Sequence, residues 1–421
     1  MNCRHCGTEL HHVFADLGHC PPSNSMLQAA QLEEPEVHYP LKTYVCHNCF
    51  LVQIGEVKKA VDIFGDGYTY FSSYSTSWLA HARRYVDMMM ERFHFDKNSL
   101  VIEAASNDGY LLQYFHAYGV PVLGVDPTAN TARIAAGRGV RTLVDFFTAK
   151  LGRELAATGQ QADLLIGNNV LAHVPDINDF VGGMQTALKP GGIVTMEFPH
   201  LLNLVEHCQF DTIYHEHFSY LSLSTVARIF AAQGLTIFDV EELPTHGGSL
   251  RIFARHASDH SKPVTRAVRE LLTREQAAGM LTLEYYEDFQ PRVDTVRAEF
   301  LEFLLEQRRA GKQVVGYGAA AKGNTLLNYC GLQGTELLSF VADASPYKQG
   351  RCLPGSHIPV VDAERIRGEK PDYVVILPWN LREEIAERLA FIREWGGQFV
   401  VAIPALEVFS YASSPAEVAH A

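Results

Sequence analysis

Short hydrophobic runs alternate with amphipathic, helix-type stretches along much of this chain. Apolar runs at residues 100–102, 121–125, 163–167 and 193–198 have the length of buried strands, and helical patterns separate most of them. Strands that alternate with helices favour a parallel sheet with crossover helices. The pattern therefore predicts a doubly wound α/β lobe.

A second α/β pattern, of a Rossmann-like kind, follows in the last quarter of the chain. Its strand-like runs lie at 314–318, 337–341, 373–377 and 399–403. Between the two lobes, long amphipathic helices interrupted at Pro291 predict a connector. The expected organisation is a small module over 1–66, a first α/β lobe over 67–260, the connector over 261–310, a second α/β lobe over 311–410 and a tail over 411–421.

The composition excludes several classes of protein. The 421 residues carry a formal net charge of −13, whereas a general nucleic-acid binder needs a basic surface. No run of about 18 apolar residues predicts a membrane span, and the N-terminal residues lack a signal-peptide pattern. A cytoplasmic protein without nucleic-acid or membrane partners is expected. Its oligomeric state is left open, a monomer included.

Four of the eight cysteines form two identical pairs. They are Cys3-x-x-Cys6 and Cys46-x-x-Cys49, and in a chain of this kind the spacing favours a metal over disulfides. Four thiolates complete a tetrahedral zinc shell and leave no open position for catalysis. The first module is therefore predicted to hold a structural zinc ion. Four thiols without a metal are the alternative.

A turn of small residues follows the first strand of the first lobe. It runs from Glu103 to Gly109, and Asp126 ends the next strand, where nucleotide-binding folds hold a ribose diol. The three-glycine pattern of dinucleotide sites is missing, which disfavours NAD. With Asn168 after a later strand and the turn at 189–192, the order resembles the class I S-adenosylmethionine-dependent methyltransferases. The resemblance implies that Glu103, Ser106, Asn107, Gly109, Asp126 and Asn168 bind this cofactor.

The densest group of titratable residues lies between residues 210 and 220. It contains Tyr214, His215, Glu216 and His217, at a spacing that does not fit a helical zinc-protease motif. A strand would place Tyr214 and Glu216 on one face and both histidines on the other, whereas a loop could bring all four together. Both conformations stay open. Such a concentration of titratable groups after a cofactor lobe predicts general acid–base chemistry.

Together with residues 245–251, this cluster resembles the sugar C-methyltransferases, and the resemblance covers nearly the whole chain. These enzymes methylate C-3 of nucleotide-linked 4-keto deoxysugars after a base removes the proton beside the ketone. The resemblance implies that His217 is the base and that Tyr214 and Glu216 orient it or relay the proton. It leaves open whether His217 or Tyr214 takes the proton. His173 would hold the sugar or its keto oxygen.

The same resemblance suggests which residues contact the substrate. The small-residue turn at 316–324 can hold a diphosphate through its backbone amides, with Lys322 as a point charge. A dinucleotide-binding dehydrogenase lobe is the alternative for that turn. The implied substrate contacts are Tyr70, His246, Ser249, Arg251, Lys322 and Asn324.

Two other functions remain open from the sequence. The first is O- or N-methylation of a sugar or small molecule, which needs no enolate. The second is a zinc-ribbon adaptor with a degenerate methyltransferase lobe, which the net charge of −13 disfavours. The nucleotide base, the exact sugar and the stereochemical outcome cannot be read from the sequence.

Overall fold

Strands and helices alternate through most of the computed structural model, which describes residues 1–57, 59, 61 and 71–411. The strands are β1 (His12–Cys20), β2 (Tyr39–Val45), β3 (Val52–Ile54), β4 (Val101–Ala104), β5 (Val122–Val125), β6 (Thr142–Leu143), β7 (Ala162–Asn168), β8 (Leu188–Pro199), β9 (Ser219–Tyr220), β10 (Leu235–Leu243), β11 (Ser249–His256), β12 (Val314–Tyr317), β13 (Val341–Ala342), β14 (Val360–Val361), β15 (Tyr373–Ile376), β16 (Gln398–Val401) and β17 (Glu407–Phe409). The helices are α1 (Thr76–Phe93), α2 (Leu112–Ala117), α3 (Ala129–Gly137), α4 (Ala149–Ala157), α5 (Ile177–Ala187), α6 (Leu201–Glu206), α7 (Leu223–Ala232), α8 (Arg266–Ala278), α9 (Glu284–Glu287), α10 (Phe289–Arg309), α11 (Ala321–Tyr329), α12 (Arg365–Glu369) and α13 (Arg382–Arg388). None of these helices is long and apolar enough to span a bilayer.

The chain divides into two compact units, each built from several segments. The first unit contains Met1–His12, Tyr44–Leu202 and Glu216–Tyr285. The second unit contains Val13–Thr43, Asn203–His215 and Tyr286–Ala421. Chain order alone therefore does not decide which residues belong to one unit.

A seven-stranded sheet forms the centre of the first unit. Its strand order is β10-β11-β8-β7-β4-β5-β6. The strands β8, β7, β4, β5 and β6 pair in parallel with one another, and β11 pairs antiparallel with both β8 and β10. The four residues of β4 are all buried, as expected for a strand covered on both faces. The chain reverses its direction of winding between β4 and β7. In such sheets this reversal opens a crevice at the carboxyl ends of the two strands.

A second doubly wound sheet forms the centre of the second unit. Its order is β14-β13-β12-β15-β16-β17, and all pairs are parallel except the edge pair of β16 with β17. Its first strand, β12, is buried along its whole length and leads through Gly318 into α11. The predicted α/β character of this part of the chain is confirmed.

The connector helices differ from the prediction. Pro291 was expected to interrupt them, but it is the third residue of α10, and the break between long helices falls at Gly279 instead. The expectation was wrong because the first turn of a helix has no intrahelical acceptors for its N–H groups, so proline is tolerated there. Gly279 ends α8 with a φ of 94°, a conformation that glycine adopts without strain.

Candidate active site

The two cysteine pairs meet in the first unit. The Sγ atoms of Cys3, Cys6, Cys46 and Cys49 all lie within 4.8 Å of one another, and the Cys3–Cys49 and Cys6–Cys46 distances are both 3.5 Å. Thiolates bound to one tetrahedral zinc ion at about 2.3 Å lie roughly 3.8 Å from one another. The four residues therefore fit a zinc ion, and because they fill its coordination shell they fit a structural one.

Each pair is held by the same kind of turn. The amide of Gly7 donates to the carbonyl of Cys3 at 2.9 Å, and the amide of Phe50 donates to the carbonyl of Cys46 at 2.8 Å. Gly7 and Phe50 have φ values of 73° and 60°, so both turns need the left-handed region although only one of them carries glycine. Gln53 adds a 3.1 Å hydrogen bond from Nε2 to the sulfur of Cys3. Local turns thus aim both pairs at one point.

Asp126 fixes the turn that follows β4. Its Oδ2 accepts a 2.9 Å hydrogen bond from the amide of Asn107, and its Oδ1 accepts one of 2.9 Å from the amide of Thr128. Asn107 and Gly109 have φ values of 49° and 76°, and a Cβ on Gly109 would lie 3.2 Å from the Cβ of Ala135. The small residue therefore lets the turn pack closely, and the anchored backbone can face a ligand.

Glu103 and Ser106 are fully buried in the same segment. The side chain of Ser106 occupies the space that a Cβ on Gly124 would need, so glycine on β5 makes room for it. Burial raises the pKa of Glu103 well above its usual range, and the charges of Asp126 and Asp108 raise it further. Glu103 therefore holds its proton far more tightly than an exposed carboxyl group.

Asn168 ends β7, the strand on the other side of β4. It is 8% exposed, and the hydroxyl group of Tyr110 is the partner that the described part of the chain offers to its amide group. An amide group has two donor hydrogens and one acceptor oxygen, so a single partner leaves hydrogen-bonding capacity that a ligand can satisfy. Asp126, the turn at Asn107 and the amide of Asn168 follow three adjacent strands, at the reversal of winding. These groups fit an amino acid joined to a nucleoside, as in S-adenosylmethionine.

The cluster after residue 210 forms a single turn, Phe210–Thr212, and then a loop that reaches β9. Within the first unit, Nδ1 of His173 donates to the carbonyl of Glu216 at 2.8 Å. The rings of His173 and His217 lie 4.6 Å apart at 72°. The structure thus brings His173, Glu216 and His217 together just beyond β7.

The hydrogen bond from His173 defines what its ring can do. A carbonyl oxygen only accepts, so Nδ1 carries the ring proton and Nε2 keeps its lone pair. Burial lowers the pKa of His173 to about 4. His173 is therefore neutral near pH 7, and its Nε2 can accept a hydrogen bond but supplies no positive charge.

His246 lies beside the end of β7 as well. Its Nε2 accepts a 2.9 Å hydrogen bond from Nδ2 of Asn169, and its ring meets the Trp78 ring edge-on at 5.2 Å. Both His246 and Asn169 have a positive φ, 54° and 51°. Non-glycine residues rarely adopt this conformation, and such strain clusters at functional sites.

Arg251 and Ser249 are buried and bonded within the first unit. The Arg251 guanidinium donates to Glu197 at 2.8 Å and to Glu241 at 2.9 Å. The hydroxyl group of Ser249 donates to the carbonyl of Thr245 at 2.9 Å. The structure thus gives both side chains intramolecular partners, and their predicted contact with a substrate stays a prediction.

The remaining predicted residues do not lie in the described part of the first unit. Tyr214 belongs to the second unit and is half-buried. Lys322 and Asn324 also belong to the second unit, on the first turns of α11. Tyr70 lies outside the described residues.

Lys322 stands in a buried polar cluster of the second unit. Its Nζ donates to Oδ1 of Asn380 at 2.8 Å and lies 4.6 Å from the centre of the Trp379 ring. Burial lowers the pKa of Lys322, and attraction to Asp211 opposes that shift. Asn324 is 1% exposed, and neither of its amide atoms has a partner in the described chain. Like Asn168, it offers a buried amide to a ligand.

Sequence reasoning missed four residues of these clusters. Asn169 and Trp78 bond or contact His246, and Asp211 and Trp379 surround Lys322. Asn169 stood in a conspicuous Asn-Asn pair, and Asp211 stood inside the titratable cluster. No local pattern could have indicated Trp78 or Trp379, because tryptophan at these positions is equally typical of a core.

Three family models match successive parts of the chain. They are the "Putative zinc binding domain" over residues 3–64, the "Methyltransferase domain" over 78–240 and the "C-methyltransferase C-terminal domain" over 244–404. Their order is the order in which the cysteine cluster, the first sheet and the second sheet follow along the chain.

Individual proteins give one extensive match and several partial ones. The chain is 38% identical to C-methyltransferase NovU of Streptomyces niveus over 413 residues, which are 98% of this chain and 97% of that protein. A ubiquinone biosynthesis O-methyltransferase of Brucella ovis is 24% identical over 94 residues, 22% of this chain and 38% of that protein. Among solved structures, magnesium protoporphyrin IX methyltransferase from Synechocystis with bound SAH has 16% identity, covers 46% of this chain and 90% of its own, and gives a TM-score of 0.34.

Proposed function

The chain belongs to the C-methyltransferase family, and from this premise we propose that it moves a methyl group from S-adenosylmethionine to C-3 of a nucleotide-linked 4-keto deoxysugar through an enolate. The resemblance noted in the sequence is confirmed at the level of the family, as are the methyltransferase fold and the zinc-binding and S-adenosylmethionine-dependent character. The sugar, its nucleotide and the position of the new methyl group are the proposal.

The observation that carries the proposal is the meeting of His173 and His217 beyond the same strand that presents Asn168. When bound, S-adenosylmethionine supplies a methyl group on a positively charged sulfur. A carbon atom can attack that methyl only after losing a proton, and loss of a C–H proton beside a ketone needs a base close to neutral pKa. A histidine next to the cofactor crevice can act as such a base, and O-methylation would not need one.

We assign the proton transfer to His217. Its ring would take the proton from C-3, and the electron pair left behind would form the enolate that attacks the methyl group. Neutral His173, with its lone pair on Nε2, would accept a hydrogen bond from a sugar hydroxyl group rather than donate to the keto oxygen. His246 accepts a hydrogen bond from Asn169 through Nε2, so its ring proton is on Nδ1.

The nucleotide end of the substrate is assigned to the second unit. Lys322 would contribute a positive charge and Asn324 a buried amide on the first turns of α11, where backbone N–H groups favour an anion. Lys322 is paired with Asn380 rather than with a carboxylate, so its charge is not neutralised by direct contact. The proposed setting is the cytoplasm, because none of the eight cysteines, all within the described residues, forms a disulfide, which is typical of a reducing compartment.

The test is the variant His217→Asn, with the exposed His11→Asn as its matched control. The enzyme is mixed with methyl-labelled S-adenosylmethionine and nucleotide-linked 4-keto deoxysugars, and products are identified by mass spectrometry. Exchange of the C-3 proton in deuterated water, without cofactor, reports the base directly. We expect H217N to lower exchange and turnover about 100-fold or more while the cofactor Kd stays within twofold. Undiminished exchange in H217N would remove the residue from this role.

O-methylation is the second candidate, because the short match to a ubiquinone O-methyltransferase lies within this chain. It predicts a methylated oxygen in the product and no exchange at carbon. The same labelling experiment therefore separates the two functions.

A further inference from the structure

We propose that the second unit positions Tyr214 for the reaction. Thr325 and Trp379 bind residues that precede Tyr214 in the chain, and the contacts of His215 fix the residue that follows it. The inference rests on the proposed function and on the role that the family resemblance implies for Tyr214, which is to orient His217 or to relay the proton. It assigns positioning roles to residues that have no contact with the reacting atoms. Every contact used below lies inside the second unit.

The residue before Tyr214 has both backbone groups fixed. The amide of Ile213 donates to the carbonyl of Phe210 at 2.9 Å and closes the turn Phe210–Thr212. The carbonyl of Ile213 accepts a 3.0 Å hydrogen bond from the hydroxyl group of Thr325, on α11. Because these two bonds share one residue, the direction in which the chain enters Tyr214 depends on where α11 holds Thr325.

The turn itself is anchored by a buried carboxylate. Asp211 is fully buried, and its Oδ2 accepts a 2.8 Å hydrogen bond from Nε1 of Trp379. Nζ of Lys322 lies over the ring of the donor Trp379, 4.6 Å from its centre. Phe210 is also fully buried and meets the Tyr329 ring at 5.6 Å. The turn therefore has a polar anchor and an apolar one, both in the C-terminal segment.

The residue after Tyr214 is held by a different segment. His215 is 3% exposed, and its Nε2 donates to the carbonyl of Pro40 at 3.2 Å. Its ring meets the ring of Tyr39 edge-on at 6.0 Å. Tyr39 and Pro40 begin β2, in the segment that lies between the two cysteine pairs along the chain. Tyr214 is thus held from both sides by elements that are far from it in sequence.

This arrangement has a consequence for catalysis. A displacement of about 1 Å in a reacting group can cost a factor of about 100 in rate, so the anchors of Tyr214 affect turnover without touching substrate. Removing the Trp379 N–H also leaves the Oδ2 of a buried carboxylate without its partner, which forces the turn to rearrange. Thr325 acts on one carbonyl group and has the smaller effect.

The test compares W379F and T325V with W395F in the full-length enzyme. Trp395 also donates its Nε1 to a carbonyl in this unit, that of Pro371 at 2.9 Å, but it has no bond to residues 209–215 among the described contacts. We expect W379F to lower kcat and C-3 exchange about tenfold and T325V about threefold. KM and the cofactor Kd should stay within twofold, and W395F should match the wild type.

The decisive measurement repeats these substitutions in a Y214F background. If Trp379 acts through Tyr214, W379F causes no further loss there. The same tenfold loss in both backgrounds, a higher KM with unchanged kcat, or equal losses in W379F and W395F would each overturn the inference.

A second measurement needs no substrate and so separates this inference from the proposed function. In protein with 13C-labelled tyrosine, the Tyr214 signal is identified by its loss in Y214F. The signal should shift in W379F and T325V and stay in place in W395F. An unmoved signal in both test variants contradicts the inference, whereas failure of the wild type to methylate a keto sugar contradicts the proposed function alone.

Discussion

The two doubly wound sheets of this protein hold the turn after their first strand in the same way, with an aspartate side chain that accepts backbone amides and so anchors the turn. In the first, Asp126 accepts the amides of Asn107 and Thr128, both at 2.9 Å. In the second, Asp343 accepts the amide of Ala319 at 2.7 Å and that of Ser345 at 2.8 Å. In both, a carboxylate directly after the second strand holds the turn after the first strand and the residue two places beyond itself.

The sheets differ at the end of the neighbouring strand. After β4, the adjacent strand presents the buried Asn168, whose amide group meets the hydroxyl group of Tyr110 in the described chain. After β12, the adjacent strand leads into Pro378, and a Cβ on Gly318 would lie only 2.5 Å from its Cδ. The second turn is thus packed against a proline, whereas the first faces a polar amide group. The two sheets share the aspartate anchor and differ in the residue that the neighbouring strand places beside the turn.

Zinc removal has the largest expected effect of the changes considered. It is expected to affect the first unit, because the cysteine cluster belongs to that unit only. Structural zinc contributes roughly 10–16 kcal/mol in small domains, as much as the stability of most proteins. Cys49→Ser should abolish zinc binding and cofactor binding together. Cys330→Ser is the matched control, since both side chains are 4% exposed and Cys330 belongs to the second unit.

The measurements are zinc content by mass spectrometry and the cofactor Kd by calorimetry. One zinc per chain is expected in the wild type and in C330S, and none in C49S. Normal cofactor affinity in zinc-free C49S would show that the first unit does not depend on the ion.

The second prediction removes the aspartate anchor from each sheet in turn. Asp126→Ala should weaken S-adenosylmethionine binding about 100-fold, because it frees two amides and removes the proposed ribose acceptor. Asp343→Ala removes the equivalent anchor from the other sheet and should leave the cofactor Kd within twofold. Calorimetry on both variants checks this, and equal losses in the two would mean that the cofactor site is not confined to the first sheet.

The sequence indicated Asp126 as a candidate cofactor residue because the pattern around it is local, but it did not indicate that the carboxylate anchors the turn. A strand, a small-residue turn and an acidic residue at the next strand end can be read over about 25 residues, and this pattern located Asp126. The alternation of strand-like and helical patterns also predicted the second α/β lobe. The antiparallel pair β10 and β11, which completes the first sheet, was missed because its pairing joins residues whose alternation is interrupted by the bulge between Ile237 and Asp239.

Contacts between distant segments could not be predicted at all. Nothing in the local sequence shows that His246 meets Asn169, or that the chain between the cysteine pairs holds His215. Such contacts depend on which segments the fold assembles, whereas hydrophobic periodicity reports only the exposure of one element. The residues of the titratable cluster were therefore named from the sequence as candidates, and the residues that hold them were not.

The third prediction uses the two buried amides, one in each unit. Asn168→Ala should weaken cofactor binding about tenfold and leave the KM of the nucleotide sugar unchanged. Asn324→Ala should do the reverse, because each substitution removes about one well-placed hydrogen bond from a different ligand. Steady-state kinetics and calorimetry on the pair test it. A change of both constants in either variant would mean that the two amides do not serve separate ligands.

The smallest predicted effect is a pH dependence of opposite sign in the two units. Burial lowers the pKa of His173 to about 4, so the stability linked to it is complete above pH 6.5 and is lost as the pH falls towards 4. Burial raises the pKa of Asp211 to about 6, so its linked stability is greatest below pH 3.8 and is lost as the pH rises through 6. Each group changes the free energy of unfolding by at most about 1.4 kcal/mol per pH unit.

Denaturant titrations of the wild type, H173N and D211N between pH 4.5 and 6.5 measure these slopes. Other titrating groups are common to all three proteins and cancel in the differences. Relative to the wild type, H173N should lose less stability on acidification, and D211N should lose less on going from pH 4.5 to 6.5. Slopes that change in the same direction in both variants would contradict the prediction, because a buried neutral histidine and a buried carboxylate respond oppositely to the same proton.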